Sequence, residues 1–244
     1  MAWFQPGNEL KSNENQTSTL GQVKKPKICI ALPHTGSMAS EFTEKTWKAL
    51  TMIAVPWADK LVFQCKVPSL PLARNILVRE FLKTDAEYIL WLDSDMLPEA
   101  PGDANEALKI LLDTLVSTGE SIVSGLYRAK QVHGFNYAIW KDADPKQLAP
   151  GMEFGYQHVT DWTGDWIEIA VCGLGFCLMH RRVFEKLNQP YFSWEIPDTQ
   201  SEDFDMLSKA RKAGFKVWCR TSVRLSHMGG LVLSSDGKIR VPMV

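Results

Sequence analysis

The stretch YILWLDSDMLPE, residues 88–99, decides how this chain folds. Five apolar residues, Tyr88 to Leu92, run straight into two carboxylates, Asp93 and Asp95, set around one serine. An uninterrupted apolar run of this length predicts a strand buried on both faces. Two acids at its end repel each other, so something cationic is expected beside them.

Working outward, the first half alternates strand and helix patterns. KKPKICIALP gives a short apolar strand ended by Pro33, and KLVFQCKV a second strand. A polar loop and a helix bearing Phe42, Trp47, Leu50 and Ile53 lie between them. SLPLARNILVREFLK predicts a helix with Pro71 in its first turn, where a missing N–H costs nothing. After the central stretch, residues 104–116 predict a helix and SIVSGLY a strand. This alternation argues for a parallel sheet covered on both faces, which binds ligands at the carboxyl ends of its strands. The loop from Pro33 to Gly36 and the pair Asp93–Asp95 both fall at such ends.

The second half reads differently. FNYAIW and WIEIAVCGLGFCLM predict strands, antiparallel in character, separated by a Pro/Gly/Asp-rich stretch at 141–165. RRVFEKL and SEDFDMLSKARKAG predict helices, the latter closed by Gly214, and FKVWCR and SVRLSH predict two final strands. The fold class expected is therefore α/β, a Rossmann-like, mostly parallel nucleotide-binding sheet with a mixed or antiparallel second half. The division expected is a mobile polar tail over 1–25 and one domain over 26–244.

Bulk properties set bounds. At 45% hydrophobic the chain can bury a sizeable core. A formal net charge of -1 supplies no overall basic field, so nucleic acid is not strongly implied as a partner. No apolar run approaches bilayer-spanning length, and the N-terminus lacks a secretory pattern. The cysteines Cys29, Cys65, Cys172, Cys177 and Cys219 are odd in number and mostly embedded in apolar runs, which predicts reduced thiols and a cytoplasmic setting. Cys172, Cys177 and His180 lack the spacing and fourth ligand of a zinc site.

Three readings of Asp93-Ser94-Asp95 compete. The acids can cap a following turn. They fail as a calcium loop, because Leu97 stands where a ligand is needed and the turn glycine is missing. They fit a metal–diphosphate site, since Mg²⁺ or Mn²⁺ takes one or two carboxylates and completes its shell with phosphates and water. KDADP at 141–145 has the same spacing but reads as polar loop. In SEDFDML, Ser201 reads as an N-cap with Glu202 and Asp203 in the first turn, where the helix dipole favours acids. The functional alternative is a carboxylate base aimed from a rigid helix start. In RLSHMGG, His227 ends an apolar strand; it is either a hydrogen-bonded structural residue or a neutral imidazole completing an octahedral ion with a carboxylate.

Taken in order, PHTG, ARN, DSD, GLGFCLMHRRVFEKL, SEDFDM and HMGG resemble the nucleotide-sugar glycosyltransferases of the GT-A fold, family-2-like group, over roughly residues 27 to 230. The resemblance implies that Pro33, Thr35 and Arg74 hold the nucleotide. It implies that Asp95 binds a Mn²⁺ or Mg²⁺ ion, with Asp93 nearer the ribose or a metal-bound water and His227 as a further metal ligand. It implies that Asp203, with Glu202 as neighbour, carries the acceptor base. The expected activity is metal-dependent transfer of a sugar from a nucleoside-diphosphate sugar to an acceptor hydroxyl of a carbohydrate or other molecule, by inverting displacement. The alternatives are a non-catalytic nucleotide- or carbohydrate-binding protein on the same scaffold and a sugar nucleotidyltransferase, the latter ranked lower because the chain lacks a Gly-rich, Lys/Arg-bearing phosphate loop. FQCKVPS has no counterpart of the acid that reads the nucleobase, and part of ARN…YILWLDSDM also resembles the retaining yeast-type mannan mannosyltransferases. Trp162, Trp166, Tyr191, Phe192 and Trp194 divide between an acceptor platform and core packing.

Overall fold

The computed structural model describes residues 25–34, 36, 38–129, 136–148, 155–194, 201–228, 232–233 and 239–240. The tail expected over 1–25 lies outside them up to residue 24, as do Thr35 and the two glycines of HMGG. In chain order the elements are β1 (Lys27–His34), α1 (Ser40–Phe42), a π-helical segment (Thr43–Trp47), α2 (Lys48–Met52), β2 (Asp59–Lys66) and α3 (Leu70–Leu82). Then come β3 (Tyr88–Leu92), β4 (Met96–Ala100), α4 (Ala104–Thr118), β5 (Ile122–Leu126), β6 (Ile139–Asp142) and a 3₁₀ turn (Pro145–Gln147). The rest are β7 (Tyr156–His158), β8 (Trp166–Ile169), β9 (Val171–Cys172), β10 (Phe176–His180), α5 (Arg182–Lys186), α6 (Glu202–Lys212), β11 (Val217–His227), β12 (Val232–Leu233) and β13 (Ile239–Arg240).

The central stretch forms the expected strand: all five residues of β3 are buried. Its side chains alternate between two cores, one on each face of the sheet. Ile89 and Trp91 join Cys29, Ala31, Leu77, Phe81, Phe184 and Phe204 beneath α3, α5 and α6. Tyr88, Leu90 and Leu92 join Ile28, Ile30, Leu32, Phe42, Leu50 and Leu108 beneath α1, α2 and α4. Asp103 starts α4 by accepting from the backbone of Asn105 and Glu106, and Gly119, at φ +71°, ends it in the left-handed region that disfavours a side chain.

The main sheet has the order β13-β12-β11-β5-β10-β3-β1-β2, with β4 and β8 also paired to β11. Strands β1, β2 and β3 are parallel neighbours, and β5 pairs in parallel with β11. The class is thus mixed α/β with a large, mostly parallel central sheet. Three details differ from the sequence reading. β10, from the second half, inserts between β3 and β5 of the half read as parallel, antiparallel to both. Four of the five residues of β10 are fully buried, which suits the interior of a sheet covered on two sides. The two final strands are one, β11, with a register shift between Arg220 and Arg224 instead of a break. Pro33 does not end β1 but lies buried within it, in register with Cys65.

Among the described residues all five cysteines are free and buried. Burial pushes the Cys29 thiol up to about 12. Cys177 joins one core, whereas His180 lies edge-on to Tyr88 of the other, so alternation along β10 turns them apart. No helix among the described residues is long and apolar enough to cross a membrane.

Candidate active site

Strands β1, β3, β5 and β11 share one direction, so their carboxyl ends meet at one edge of the sheet. Asp93 and Asp95 follow β3, Tyr127 and Arg128 follow β5, and His227 ends β11. The Gly173-Leu174-Gly175 turn before the antiparallel β10 arrives at the same edge, tied by the Asp93 N–H donating to the Gly175 carbonyl (2.9 Å).

The two acids meet different partners: Asp93 a guanidinium and Asp95 an imidazole. Arg74, on the inner face of α3 and only 1% exposed, donates through Nη2 to Asp93 Oδ1 (3.2 Å) and through Nε to Glu202 Oε1 (3.2 Å), with Asp203 Oδ1 at 3.5 Å. Its guanidinium rests against the rings of Trp91 and Phe192, with Cζ 5.3 and 5.9 Å from their centroids. Burial on its own would lower the Arg74 pKa; the pull of Asp203, Asp93 and Glu202 outweighs that and raises it. Arg74, expected to hold the nucleotide, is placed as the buried countercharge of three acids, with its Nη1 left without a hydrogen-bond partner.

Three carboxylates against one guanidinium leave an excess of negative charge largely shielded from water, Asp93 being the most open of the three, and two of the acids respond. Burial raises Asp203 well above the usual carboxylate range, opposed by Arg74 and reinforced by Glu202 and Asp93. Burial also raises Asp93, against the pull of Arg74. Asp203 is not a helix cap. Its Oδ2 accepts from the Leu174 N–H (3.2 Å), outside its own helix, and Ser201 makes no side-chain cap bond. Asp205 turns to the other side of α6, accepting from the Ser193 N–H and Oγ and from Lys209 Nζ. That side borders a groove of about 570 Å³ carrying Lys186, Lys209 and Lys212.

Asp95 meets an imidazole. Its Oδ2 lies 3.4 Å from His227 Nε2, and its carbonyl accepts from the Met228 N–H (2.8 Å). His227 Nδ1 sits 2.9 Å from the Arg128 carbonyl, which can only accept. Nδ1 therefore carries the proton, and in the neutral ring Nε2 presents a lone pair to a carboxylate oxygen. Two acceptors facing each other are satisfied by a second proton on the imidazole or by a cation between them. The donor set thus fits a hard divalent ion with one carboxylate and one imidazole. Among the described residues no group of three or more His, Cys, Asp and Glu forms a metal cage by itself. Asp93, expected nearer the ribose or a metal-bound water and as a possible second carboxylate of the metal, gives Oδ1 to Arg74.

The first-strand loop lies at the same edge. His34 is in register with Lys66, and its buried Nδ1 has no hydrogen-bond partner. Gly36, at φ +123°, packs so closely that an added Cβ would stand 2.4 Å from Lys66 Cε. Thr35 lies outside the described residues, and Pro33 is buried in the strand.

Other expectations resolve individually. Asp142, in KDADP, follows a strand after all, at the end of β6; it pairs with Arg211 through both oxygens (2.9 and 2.6 Å), while Asp144 starts the 3₁₀ turn by accepting from the Lys146 N–H. Of the five aromatics, Tyr191 and Phe192 are core, Trp162 stands edge-on to Tyr137, Trp166 stacks on Trp218, and Trp194 is 63% exposed. Sequence reasoning missed Tyr127 and the Trp91–Phe192 seat of Arg74. Tyr127 follows a strand of the central sheet just as Asp93 does, and that position was its only available signal.

No family model matches the chain, and no curated protein matches it. Among solved structures it is similar to the crystal structure of A197 from STIV, at 19% identity and a TM-score of 0.61, over 90% of this chain and 95% of that one. At that identity the likeness speaks for the fold alone.

Proposed function

We propose that this protein is a GT-A-type glycosyltransferase that moves a sugar from a nucleoside-diphosphate sugar to an acceptor hydroxyl by inverting displacement. The observation that carries the reading is the pairing, at one edge of the sheet, of Asp95 and His227 as a two-ligand cation seat with Asp203, an acid of raised pKa whose side chain is 14% exposed. Strand-end acids in this setting favour a ligand at the carboxyl edge of an α/β sheet.

Asp95 and His227 would hold Mn²⁺ or Mg²⁺, leaving the remaining positions to diphosphate oxygens and water. Such an ion, when bound, stabilises the charge that grows on the leaving diphosphate. The chain's own groups do the rest. The Arg128 carbonyl fixes the His227 tautomer, so the lone pair of Nε2 faces the seat. Asp203 accepts the acceptor hydroxyl's proton at a carboxylate oxygen as the new glycosidic bond forms. Burial raises its proton affinity above the ordinary carboxylate range, which makes its carboxylate a stronger base. Arg74 holds Asp93, Glu202 and Asp203 together against their repulsion. Trp194, the exposed member of the aromatic set, offers a face for the acceptor.

The test is to incubate the protein with Mn²⁺ and a panel of UDP-, GDP- and TDP-sugars, with and without sugar acceptors. Metal-dependent release of nucleoside diphosphate from one donor is expected. Release of pyrophosphate would point to a nucleotidyltransferase, and tight donor binding without release to a binding protein.

A further inference from the structure

The two halves of the site, the cation seat and Asp203, sit on different elements, and one side chain touches what holds both. Tyr127 is buried directly after β5. Its hydroxyl accepts from the Gly175 N–H (2.9 Å). The Gly175 carbonyl in turn accepts from Asp93 N–H, and the neighbouring Leu174 N–H donates to Asp203 Oδ2. The tyrosine ring stands edge-on to the His227 imidazole, centroids 5.5 Å apart at 87°.

The glycines on either side of Leu174 make room for this hydroxyl. A Cβ on Gly173 would stand 2.2 Å from Tyr127 Oη, and one on Gly175 would stand 3.0 Å from it and 2.7 Å from Met96 Cε. The turn is thus shaped around the phenol. Backbone bonds fix it to neighbouring segments as well: Gly173 N–H donates to the carbonyl of Ala138, just before β6, and Ala138 N–H to the Tyr127 carbonyl.

We propose that Tyr127 is a positioning residue. Its hydroxyl holds the Gly173–Gly175 turn that orients Asp93 and Asp203, and its ring holds His227 toward Asp95. This rests on the glycosyl-transfer reading for its consequence in catalysis, but not for the anchoring itself. The hydroxyl and the ring have separable tasks, which Tyr127→Phe and Tyr127→Leu divide.

The experiment uses the full chain with Tyr88→Phe as control, since Tyr88 lies at the far end of β3. In Tyr127→Phe, amide exchange at Gly175 and Leu174 should quicken about 2–10-fold, the worth of one hydrogen bond. Metal-dependent diphosphate release should show a similar fall in kcat with KM within about twofold, as expected for misplacement of a group acting in the transition state. Unchanged exchange, or faster exchange with unchanged kcat, would overturn the proposal. Calorimetry with Mn²⁺ and inorganic pyrophosphate supplies an arm independent of turnover. Tyr127→Phe should keep wild-type affinity and Tyr127→Leu should weaken it severalfold; equal affinity in the two variants would overturn the ring's role. If wild type releases diphosphate from no donor, the glycosyl-transfer reading fails, and amide exchange together with calorimetry still decides the anchoring.

Discussion

Of the three Asp-x-Asp segments in the chain, 203–205 lies in a helix, whereas 93–95 and 142–144 both stand at the end of a strand. Asp142 ends a strand of the small three-stranded sheet, is 62% exposed on its side chain, and meets a surface arginine that water can replace. Asp93 follows the central β3, and its arginine is sealed between two aromatic rings and shared with two further acids. Strand context therefore does not separate a site from a surface turn. What separates them is whether the countercharge is buried, because a buried cation shared by several acids makes those acids depend on one another and on it.

The sharpest way to break this contrast is Arg74→Leu. Removing the cation leaves three carboxylates packed around an apolar side chain, and loss of one partner of a buried pair costs about 3–5 kcal/mol. Thermal and denaturant unfolding should show that loss, with turnover abolished. Stability equal to wild type would mean that the acids do not depend on this guanidinium.

Asp203→Asn separates chemistry from folding. A positioned general base is worth about 10²–10⁴ in rate, so kcat should fall by that range with Mn²⁺–donor affinity near normal. The folded-state pKa of Asp203 is raised, so its contribution to stability is full below the ordinary carboxylate range and is lost as pH rises through the folded value. The melting temperature of the asparagine variant relative to wild type should therefore improve from pH 4 to pH 8. In wild type, the acid limb of kcat/KM should lie above the usual carboxylate range, because the base must be deprotonated to act. A variant that turns over normally would reduce Asp203 to a contact of the Leu174 amide.

Asp95→Ala addresses the more open acid. Calorimetry should show Mn²⁺–donor affinity weakened by about 10–100-fold, at least what loss of a supporting group around a metal costs. His227→Ala should weaken it less, since phosphate and water can fill its place. Binding as tight as wild type in Asp95→Ala would dismiss the cation seat.

At the other segment, Asp142→Ala should change stability by no more than about 1 kcal/mol and leave turnover untouched, as exposed ion pairs do. A larger effect in unfolding or turnover would erase the contrast.

The central part of this architecture is legible in the sequence because it is local. The apolar run of β3, Pro71 at the start of α3 and the Asp103 and Gly119 boundaries of α4 each state their conformation within a few residues. The insertion of β10 between β3 and β5 is not local: a buried five-residue strand reads the same at any place in the sheet. The site divides in the same way. Asp93 and Asp95 are visible at a strand end, whereas the sharing of Arg74 by acids 19, 128 and 129 positions away depends on long-range packing that periodicity does not encode. Tyr127 shows in the sequence only by its place after a strand, because its contacts are to glycines nearly fifty residues downstream.

The placement of β10 has a consequence for the order in which the molecule is made. Strands β3 and β5 leave the ribosome well before the strand that must lie between them, so each waits with an open hydrogen-bonding edge. At synthesis rates of about 5–20 residues per second, the interval between Leu126 and His180 lasts about 3–11 s. During it the nascent chain can complete only the β2-β1-β3 side of its sheet, with the inner edges of β3 and β5 unpaired. The Asp93–Asp95 end of β3 then stands without Glu202, Asp203 and His227, which are translated later still. Assembly of the site is thus among the last events of biosynthesis, and a ribosome stalled before residue 176 would hold a chain whose open edges invite capture by a chaperone or by another nascent copy.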